Sequence, residues 1–422
     1  MEETDVVTCF LRNRGDVLLL RRSDEVGSYS GRWGAVAGHA EGDPDAAARA
    51  EIDEESGLLD ACTFVRSGDA FDVEDEDLDT RWVVHPYLFD CDRRAVRTDQ
   101  ETTTAEWVPP TEILRRDAVP RLWTSYARVA PSIESVAADD EHGSAYVSVR
   151  ALEVLRDRAG AVAAGERDGD WSDLAALAEA LCDARPSMAA LGNRVDQAMA
   201  TASDDRTPAA VERAAAVGVE RAFSADDEAA AVARERIEGD AALTLSRSGT
   251  VLAALDAAER VFVAESRPAR EGVGVAEELA GGGDAPVTLH TDAAVAHVLA
   301  TRDVDAVVVG ADTVLPGGDV VNKTGTRATA LAADREDVPV YAVAASDKVA
   351  TDDDPALETG DPTAVYDGSA DVEVLNPTFD VTPADCVAGY VTERGVLDAG
   401  GVRDVADEHR ELSAWRETGG EQ

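Results

Sequence analysis

Residues 38–58 read Gly38-His39-Ala40-Glu41-Gly42-Asp43-Pro44-Asp45-Ala46-Ala47-Ala48-Arg49-Ala50-Glu51-Ile52-Asp53-Glu54-Glu55-Ser56-Gly57-Leu58. Pro44 suits the first turn of a helix and Gly57 a helix end that needs a left-handed residue, so the spacing predicts a helix over 45–56. On it Glu51, Glu54 and Glu55 stand at i, i+3 and i+4 and share one face. Three like charges there repel one another unless a cation collects them, and a hard ion such as Mg²⁺ prefers carboxylate oxygens completed by water and substrate phosphate. In a chain with 85 acidic residues a solvated face would look the same, so the flanking sequence has to decide.

Working outward, Val6 to Leu11 and Asp16 to Arg21 are apolar runs around Asn13-Arg14-Gly15, a hairpin pattern. Strand-like stretches follow at Gly31 to Ala37, Cys62 to Val65 and Trp82 to Phe89, so the first third is α+β. Near Val136 to Ser144 the periodicity lapses into small and acidic residues. Val147 to Glu238 carries apolar residues at helical spacing. From Asp240, apolar runs at Ala242 to Leu245, Val261 to Ala264, Val287 to Leu289, Ala306 to Val309 and Val338 to Ala344 alternate with helix-like segments at Gly249 to Ala258 and Ala293 to Leu299. Such alternation implies a parallel sheet covered on both faces. The expected division is a first domain at 1–134, a linker at 135–144, a helical part at 145–239 and a Rossmann-like α/β domain at 240–415.

The 422 residues exceed one ordinary core, and 45% hydrophobic with 29% charged residues are globular proportions. The formal charge of −46 repels nucleic acid, and no basic patch stands out. Lys323 and Lys348 are the only lysines. Acid excess with little lysine resembles proteins of salt-accumulating halophiles, where dense ions screen self-repulsion. Cys9, Cys62, Cys91, Cys182 and Cys386 form no CxxC pair, so neither a zinc site nor a disulfide framework is expected. No apolar run approaches the roughly 20 residues of a membrane helix, and the acidic start is unlike a signal peptide. The expected location is the cytoplasm.

The opening stretch resembles the Nudix box, G-x5-E-x7-R-E-U-x-E-E-x-G-U, with U a bulky apolar residue. Glu51, Ile52, Glu54, Glu55, Gly57 and Leu58 fall on its positions, and the resemblance makes Glu51, Glu54 and Glu55 ligands of Mg²⁺ or Mn²⁺. It implies hydrolysis of a nucleoside diphosphate linked to another group. There are two departures. The 18 residues 39–56 stand where the pattern has 20, leaving Glu41 nearest to the early Glu. Ala50, beside Arg49, holds the position of an Arg that pairs with the box's acids, which bears on turnover more than on fold. Trp33-Gly34 before the box, Trp82 to Phe89 and Glu106-Trp107-Val108-Pro109 fit the same family, over roughly residues 4–130.

Five later segments are similar to the initiation factor 2B alpha/beta/delta family and its relatives, methylthioribose-1-phosphate and ribose-1,5-bisphosphate isomerase. They are Leu243 to Thr250, Val263 to Pro268, Val309 to Asp312, Gly318 to Thr326 and Asn376 to Pro383. Ser246, Ser248, Gly249 and Thr250 lie between a strand and a helix, where free backbone N–H groups can cradle phosphate. Asp312 ends a buried strand, at the edge where such sheets bind ligands. Lys323 follows Asn322 in a glycine-flanked loop, and the resemblance makes that pair a substrate contact. Arg185 and Arg267 add candidate phosphate contacts. The isomerases use a cysteine and an aspartate. Asp312 matches the aspartate, but Ser246 takes the cysteine's place, and a hydroxyl is far less acidic than a thiol of pKa about 8.5.

The reading is therefore a metal-dependent hydrolase domain joined to a domain that binds a phosphorylated sugar or nucleotide, with binding or regulation preferred to isomerisation there. The alternatives are a regulator of the initiation-factor type, with a translation factor as partner and a non-catalytic Nudix fold, and an isomerase using Asp312. The resemblance implies a homodimer.

Overall fold

Alternation builds the first sheet. In β1 (Glu2–Asn13), Val7, Cys9 and Leu11 enter one core and Phe10 another; in β2 (Asp16–Arg22), Leu18 and Leu20 join the first and Val17 and Leu19 the second. The two strands pair antiparallel at Arg12↔Val17 and Asn13↔Asp16. Arg14 and Gly15 turn between them at φ 49° and 84°, the positive pair that a two-residue hairpin demands.

The structure, a computed structural model, describes residues 2–25, 27–40, 42–98, 100–283, 285–355 and 357–419; Glu41 lies outside the described residues. They form two compact units, one of residues 1–135, 152–174 and 205–220, the other of 136–151, 175–204 and 221–422.

In the first unit β3 (Trp33–Gly34), β4 (Val36–His39), β5 (Cys62–Ser67), β6 (Phe71–Asp75), β7 (Thr80–Cys91) and β8 (Thr102–Val108) complete an eight-stranded sheet with β1 and β2. Only β1 and β7 run parallel. Helix α1 (Pro44–Ser56) begins where Asp43 accepts the Ala46 N–H at 3.2 Å. It ends at Gly57, whose φ is 63° and whose N–H reaches the Asp53 carbonyl at 3.0 Å. Ala48 and Ile52 bury against Val7, Cys9, Leu11 and Phe89, which turns the acidic side of the helix away from that core. On the sheet's other face α2 (Leu122–Ala127) packs Leu122 and Tyr126 on Phe10, Val17 and Leu88.

The helical tract is α3 (Ile133–Ala137), α4 (Ser144–Ala163), α5 (Trp171–Ala184), α6 (Ala189–Ala202) and α7 (Pro208–Ile237). Of this tract, 152–174 and 205–220 fall in the first compact unit and the rest in the second. Buried charge ties those stretches to the first unit. Arg156 donates to Asp157 at 2.8 Å and to the Gly15 carbonyl at 2.7 Å, while Tyr126 donates to Asp157 at 2.7 Å. Arg12 reaches both Asp90 at 2.7 Å and Glu153 at 3.2 Å, and Arg115 pairs with Glu212 at 2.6 Å. Buried charges persist only when partnered, and these partners lie in the sheet and its loops.

The second unit runs β9 (Ala241–Thr244), α8 (Gly249–Leu255), β10 (Arg260–Ala264), α9 (Glu271–Gly282), β11 (Val287–His290), α10 (Val295–Thr301), β12 (Ala306–Gly310), β13 (Thr313–Val314), β14 (Val320–Lys323), α11 (Thr326–Arg335), β15 (Val340–Val343), β16 (Phe379–Thr382), β17 (Gly389–Thr392), β18 (Gly395–Leu397) and α12 (Ala399–Leu412). Its main sheet has the order β11-β10-β9-β12-β15-β17-β18, parallel except for the last pair. One face buries Val261, Val263 and Val308 under α8, α9 and the end of α7; the other buries Leu243, Phe262 and Val307 under α10 and α11. The predicted strands and two-sided cover are thus present, while the small sheet β13-β14-β16 has strands of two to four residues, too short for a periodicity to register. After β9 the chain builds outward to β11, then returns to lay β12 beside β9, so the strand order reverses there. Ligands of open α/β sheets bind at the carboxyl ends of the strands at such a point. No helix of the described residues is long and apolar enough to cross a membrane.

The start of α9 is pressed onto the end of β10: a Cβ on Gly272 would lie 1.9 Å from the Ala264 carbonyl oxygen. Backbone cannot give way as a side chain can, so Gly272→Ala is expected to destabilise the protein by about 1–3 kcal/mol. A lowered urea midpoint at unchanged slope will show it; an unaltered midpoint contradicts the packing.

Candidate functional site

In the first unit Glu51, Glu54 and Glu55 line one cavity of about 650 Å³, together with Tyr29, His39 and Trp82. Helix α1 presents all three because Ile52 and Ala48 hold its opposite side in the core. Glu55 accepts the Ala37 N–H at 3.1 Å. The Glu51 carboxylate lies against Gly38, where a Cβ would overlap its oxygen. Both sit close enough to Cys9 that their charges, after burial, push that thiol upward. Glu54, Arg49 and Ala50 are exposed. Hard carboxylate oxygens gathered on one wall fit the chemistry of a divalent ion. Among the described residues no three His, Cys, Asp or Glu side chains are arranged to hold one; Glu55 and Glu51 lean onto β4. The aromatic side is ordered: Trp82 donates its indole N–H to the Tyr29 hydroxyl at 3.1 Å, and Tyr29 donates to Asp75 at 2.6 Å. Burial and then that bond raise the Tyr29 phenol to about 12.

In the second unit a cavity of about 760 Å³ opens at the reversal of strand order. It gathers Arg185, Ser246, Ser248, Gly249, Thr250, Asp312, Asn322 and Lys323, eight of the nine residues expected from sequence in this domain. Arg267 is not among its lining; it is exposed, and its backbone N–H donates to Asp292 at 2.7 Å. The loop after β9 carries Ser246 at φ 63°, held by its N–H on the Ser266 hydroxyl at 2.6 Å. Ser248 caps α8, accepting the Val251 N–H. Asn322 donates to Thr326 at 2.9 Å, which fixes the end of β14.

Asp312 follows β12. Burial raises its carboxyl above the usual range; Lys348 and then Lys323 oppose the rise, and Glu271 and Glu358 add to it. Both lysines of the chain therefore face this one carboxyl, and both line the cavity. Lys348, buried, donates to the Ala311 carbonyl at 2.7 Å. Its turn is fixed from α6, where Arg194 pairs with Asp347 at 3.0 Å and Asn193 donates to the carbonyls of Asp347 and Val349 at 2.8 and 2.7 Å.

Sequence reading missed two carboxylates. Glu271, in the first turn of α9, accepts from the Ser246 hydroxyl at 2.9 Å and from Lys323 at 2.8 Å. Glu358 pairs with Arg185 at 3.0 Å. Nothing in an acid-rich chain marks either one. Lys348 was legible only as one of two lysines.

Comparison with protein families matches residues 140–399 to the Initiation factor 2 subunit family and residues 2–129 to the NUDIX domain. The methylthioribose-1-phosphate isomerase of Pseudomonas fluorescens (strain Pf0-1) is 33% identical over 317 residues, covering 65% of this chain and 86% of its own length. That of Stutzerimonas stutzeri (strain A1501) is 40% identical over 177 residues, covering 37% of this chain; the chain spans about half, 48%, of its length. Among solved structures, a translation initiation factor eIF-2B of Pyrococcus horikoshii OT3 aligns with a TM-score of 0.53 at 26% identity, over 63% of this chain and 94% of that one. A 5-methylthioribose 1-phosphate isomerase from the same organism, at 21% identity, shares the fold with a TM-score of 0.52, over 74% and 90%. The chain belongs to the initiation factor 2 subunit family and carries a NUDIX domain ahead of that part.

Proposed function

We propose that the second unit binds a phosphorylated sugar at the Asp312 cavity and interconverts its aldose and ketose forms, and that the first unit hydrolyses a nucleoside diphosphate derivative. The observation that carries the first part is Asp312, a carboxyl that burial favours in its neutral form and that both lysines face. A protonated carboxyl can lend a proton to a sugar oxygen and take one back, which aldose–ketose exchange requires. Lys323 and Arg185 are paired with Glu271 and Glu358, so an entering phosphate exchanges one anionic partner for another rather than meeting bare charge. The 33% identity to a methylthioribose-1-phosphate isomerase over most of that protein supports turnover over binding alone.

The second part rests on the three glutamates sharing a cavity with an ordered Trp82–Tyr29 pair. Glu51, Glu54 and Glu55 would hold Mg²⁺ or Mn²⁺, which when bound polarises a diphosphate and lowers the pKa of water. Trp82 offers a flat apolar face to a base, and the Tyr29–Asp75 bond keeps that wall in place.

The full chain, in molar KCl to screen its charge, is expected to convert 5-methylthioribose 1-phosphate or ribose 1,5-bisphosphate to the ketose, followed by NMR. Asp312→Asn should lower kcat by about 100-fold or more; conversion unaffected by it sinks the assignment, and binding without product favours the regulatory reading.

Asp312 also makes a stability prediction. A carboxyl raised in the folded state binds protons more tightly there than in the unfolded chain, so it costs stability as pH rises from the unfolded value through the folded one. Asp312→Asn should therefore raise the thermal midpoint at neutral pH, with the gain fading below the ordinary carboxylate range. A gain that is the same at acid and neutral pH contradicts the shift.

For the first unit, Mg²⁺- or Mn²⁺-dependent release of phosphate-bearing products from a panel of nucleotide sugars, dinucleoside polyphosphates and oxidised nucleotides should fall at least about 100-fold in Glu54→Gln. Undiminished release would remove the trio from the reaction.

A further inference from the structure

Aldose–ketose exchange needs two proton-moving groups: one serving the sugar oxygens, and one carrying a proton between neighbouring carbons. Asp312 can be the first. Ser246, in the place of the isomerases' cysteine, has a hydroxyl too weakly acidic to be the second near neutrality. The structure places a carboxylate directly on that hydroxyl. Glu271 receives the Ser246 O–H on Oε2 at 2.9 Å and the Lys323 ammonium on Oε1 at 2.8 Å, inside the same cavity as Asp312.

We propose that Glu271 is the carbon base of this site, the catalytic residue that moves the proton from C2 to C1 of the sugar phosphate while Asp312 serves the oxygens. The inference rests on the isomerase reading given above. With an aldose 1-phosphate, the Asp312 carboxyl gives its proton to the ring oxygen as the C1–O bond breaks. Glu271 takes the C2 proton, and that electron pair forms the C1=C2 bond of an enol phosphate. Glu271 then returns its proton to C1, and the Asp312 carboxylate takes the O2 proton as C2=O forms. Both carboxyls end as they began, no electrons are gained or lost, and no other reactant is needed.

The surroundings suit the role. Glu271 stands in the first turn of α9, whose seat against the Ala264 carbonyl leaves no room for a Cβ on the next residue, so its backbone is fixed. Ser246 is held in a left-handed conformation that turns its hydroxyl to the carboxylate. Lys323 supplies a positive charge beside both carboxylates and stabilises the negative charge that grows on O2 as Asp312 takes its proton. Ser246 thus acts as a positioning residue, orienting the base rather than replacing a thiol.

The test uses the full chain with 5-methylthioribose 1-phosphate and ribose 1,5-bisphosphate, comparing wild type, Glu271→Gln and Glu271→Asp. Wild type should form ketose, and in D₂O the product should carry deuterium at C1. Glu271→Gln should lose about 10²–10⁴-fold in kcat, the range of a general base, with KM within a few-fold, and should lose deuterium exchange into added ketose. Glu271→Asp, which keeps a carboxylate, should recover part of both. Glutamine with near wild-type kcat and exchange overturns the inference while leaving the isomerase reading intact. Glutamine that raises KM alone also overturns it, because Glu271 then only anchors Lys323. Wild type that converts neither sugar overturns the reading and the inference together.

Discussion

One constraint organises the second unit: a carboxyl just past the end of β12 is half-buried, and the chain must make its desolvation tolerable. Ionising a buried carboxyl is costly, so it either stays protonated or acquires positive neighbours. Here burial raises the carboxyl, and Lys348 and then Lys323 oppose the rise. Each neighbour then needs its own support. Lys348 leans on the Ala311 carbonyl and on a turn tied down from α6 by Arg194 and Asn193. Lys323 leans on Glu271, whose helix is seated against β10. The reversal of strand order between β9 and β12 brings these groups to one opening.

The choice of lysine here is physically meaningful. All but two of the 39 basic residues are arginine, whose planar fork suits fixed pairing, as in Arg156 with Asp157 or Arg416 with Asp196 at 2.7 Å. A lysine is a compact charge that can change partners and lose its proton when buried. A chain that uses arginine for structural pairing has kept its two lysines where a carboxyl and an entering phosphate compete for them.

Local features of the sequence were legible because their causes are local. Pro44 and Gly57 bound α1 as helix chemistry requires, and the apolar runs at Val6 to Leu11 and Asp16 to Arg21 became the central hairpin. Three of the five motif segments of the second unit, Leu243 to Thr250, Val263 to Pro268 and Val309 to Asp312, run from strand ends into the turns that follow, and all of the segments' candidate residues but Arg267 line one cavity. Glu271 and Glu358 were not legible, because an acid in an acidic chain is informative only once its partner is known. The buried pairs of the helical tract were hidden for a similar reason: Arg156, Glu153 and Glu212 look like surface charges on helices until their partners in the sheet and its loops are seen. The glutamates of α1 were correctly placed on one face, but their leaning onto β4 depends on Ala37 and Gly38, which no helical spacing encodes.

The most direct measurement is the titration of the Asp312 carboxyl itself, by carbon-13 NMR of protein labelled at aspartate, with the resonance assigned by its absence in Asp312→Asn. Protonation should persist above the range of ordinary aspartates, and fall back toward that range when the cavity is opened to water in an unfolded control. An Asp312 that titrates with the surface aspartates would show that the carboxyl is already ionised at working pH, and the proton it is asked to lend would not be there.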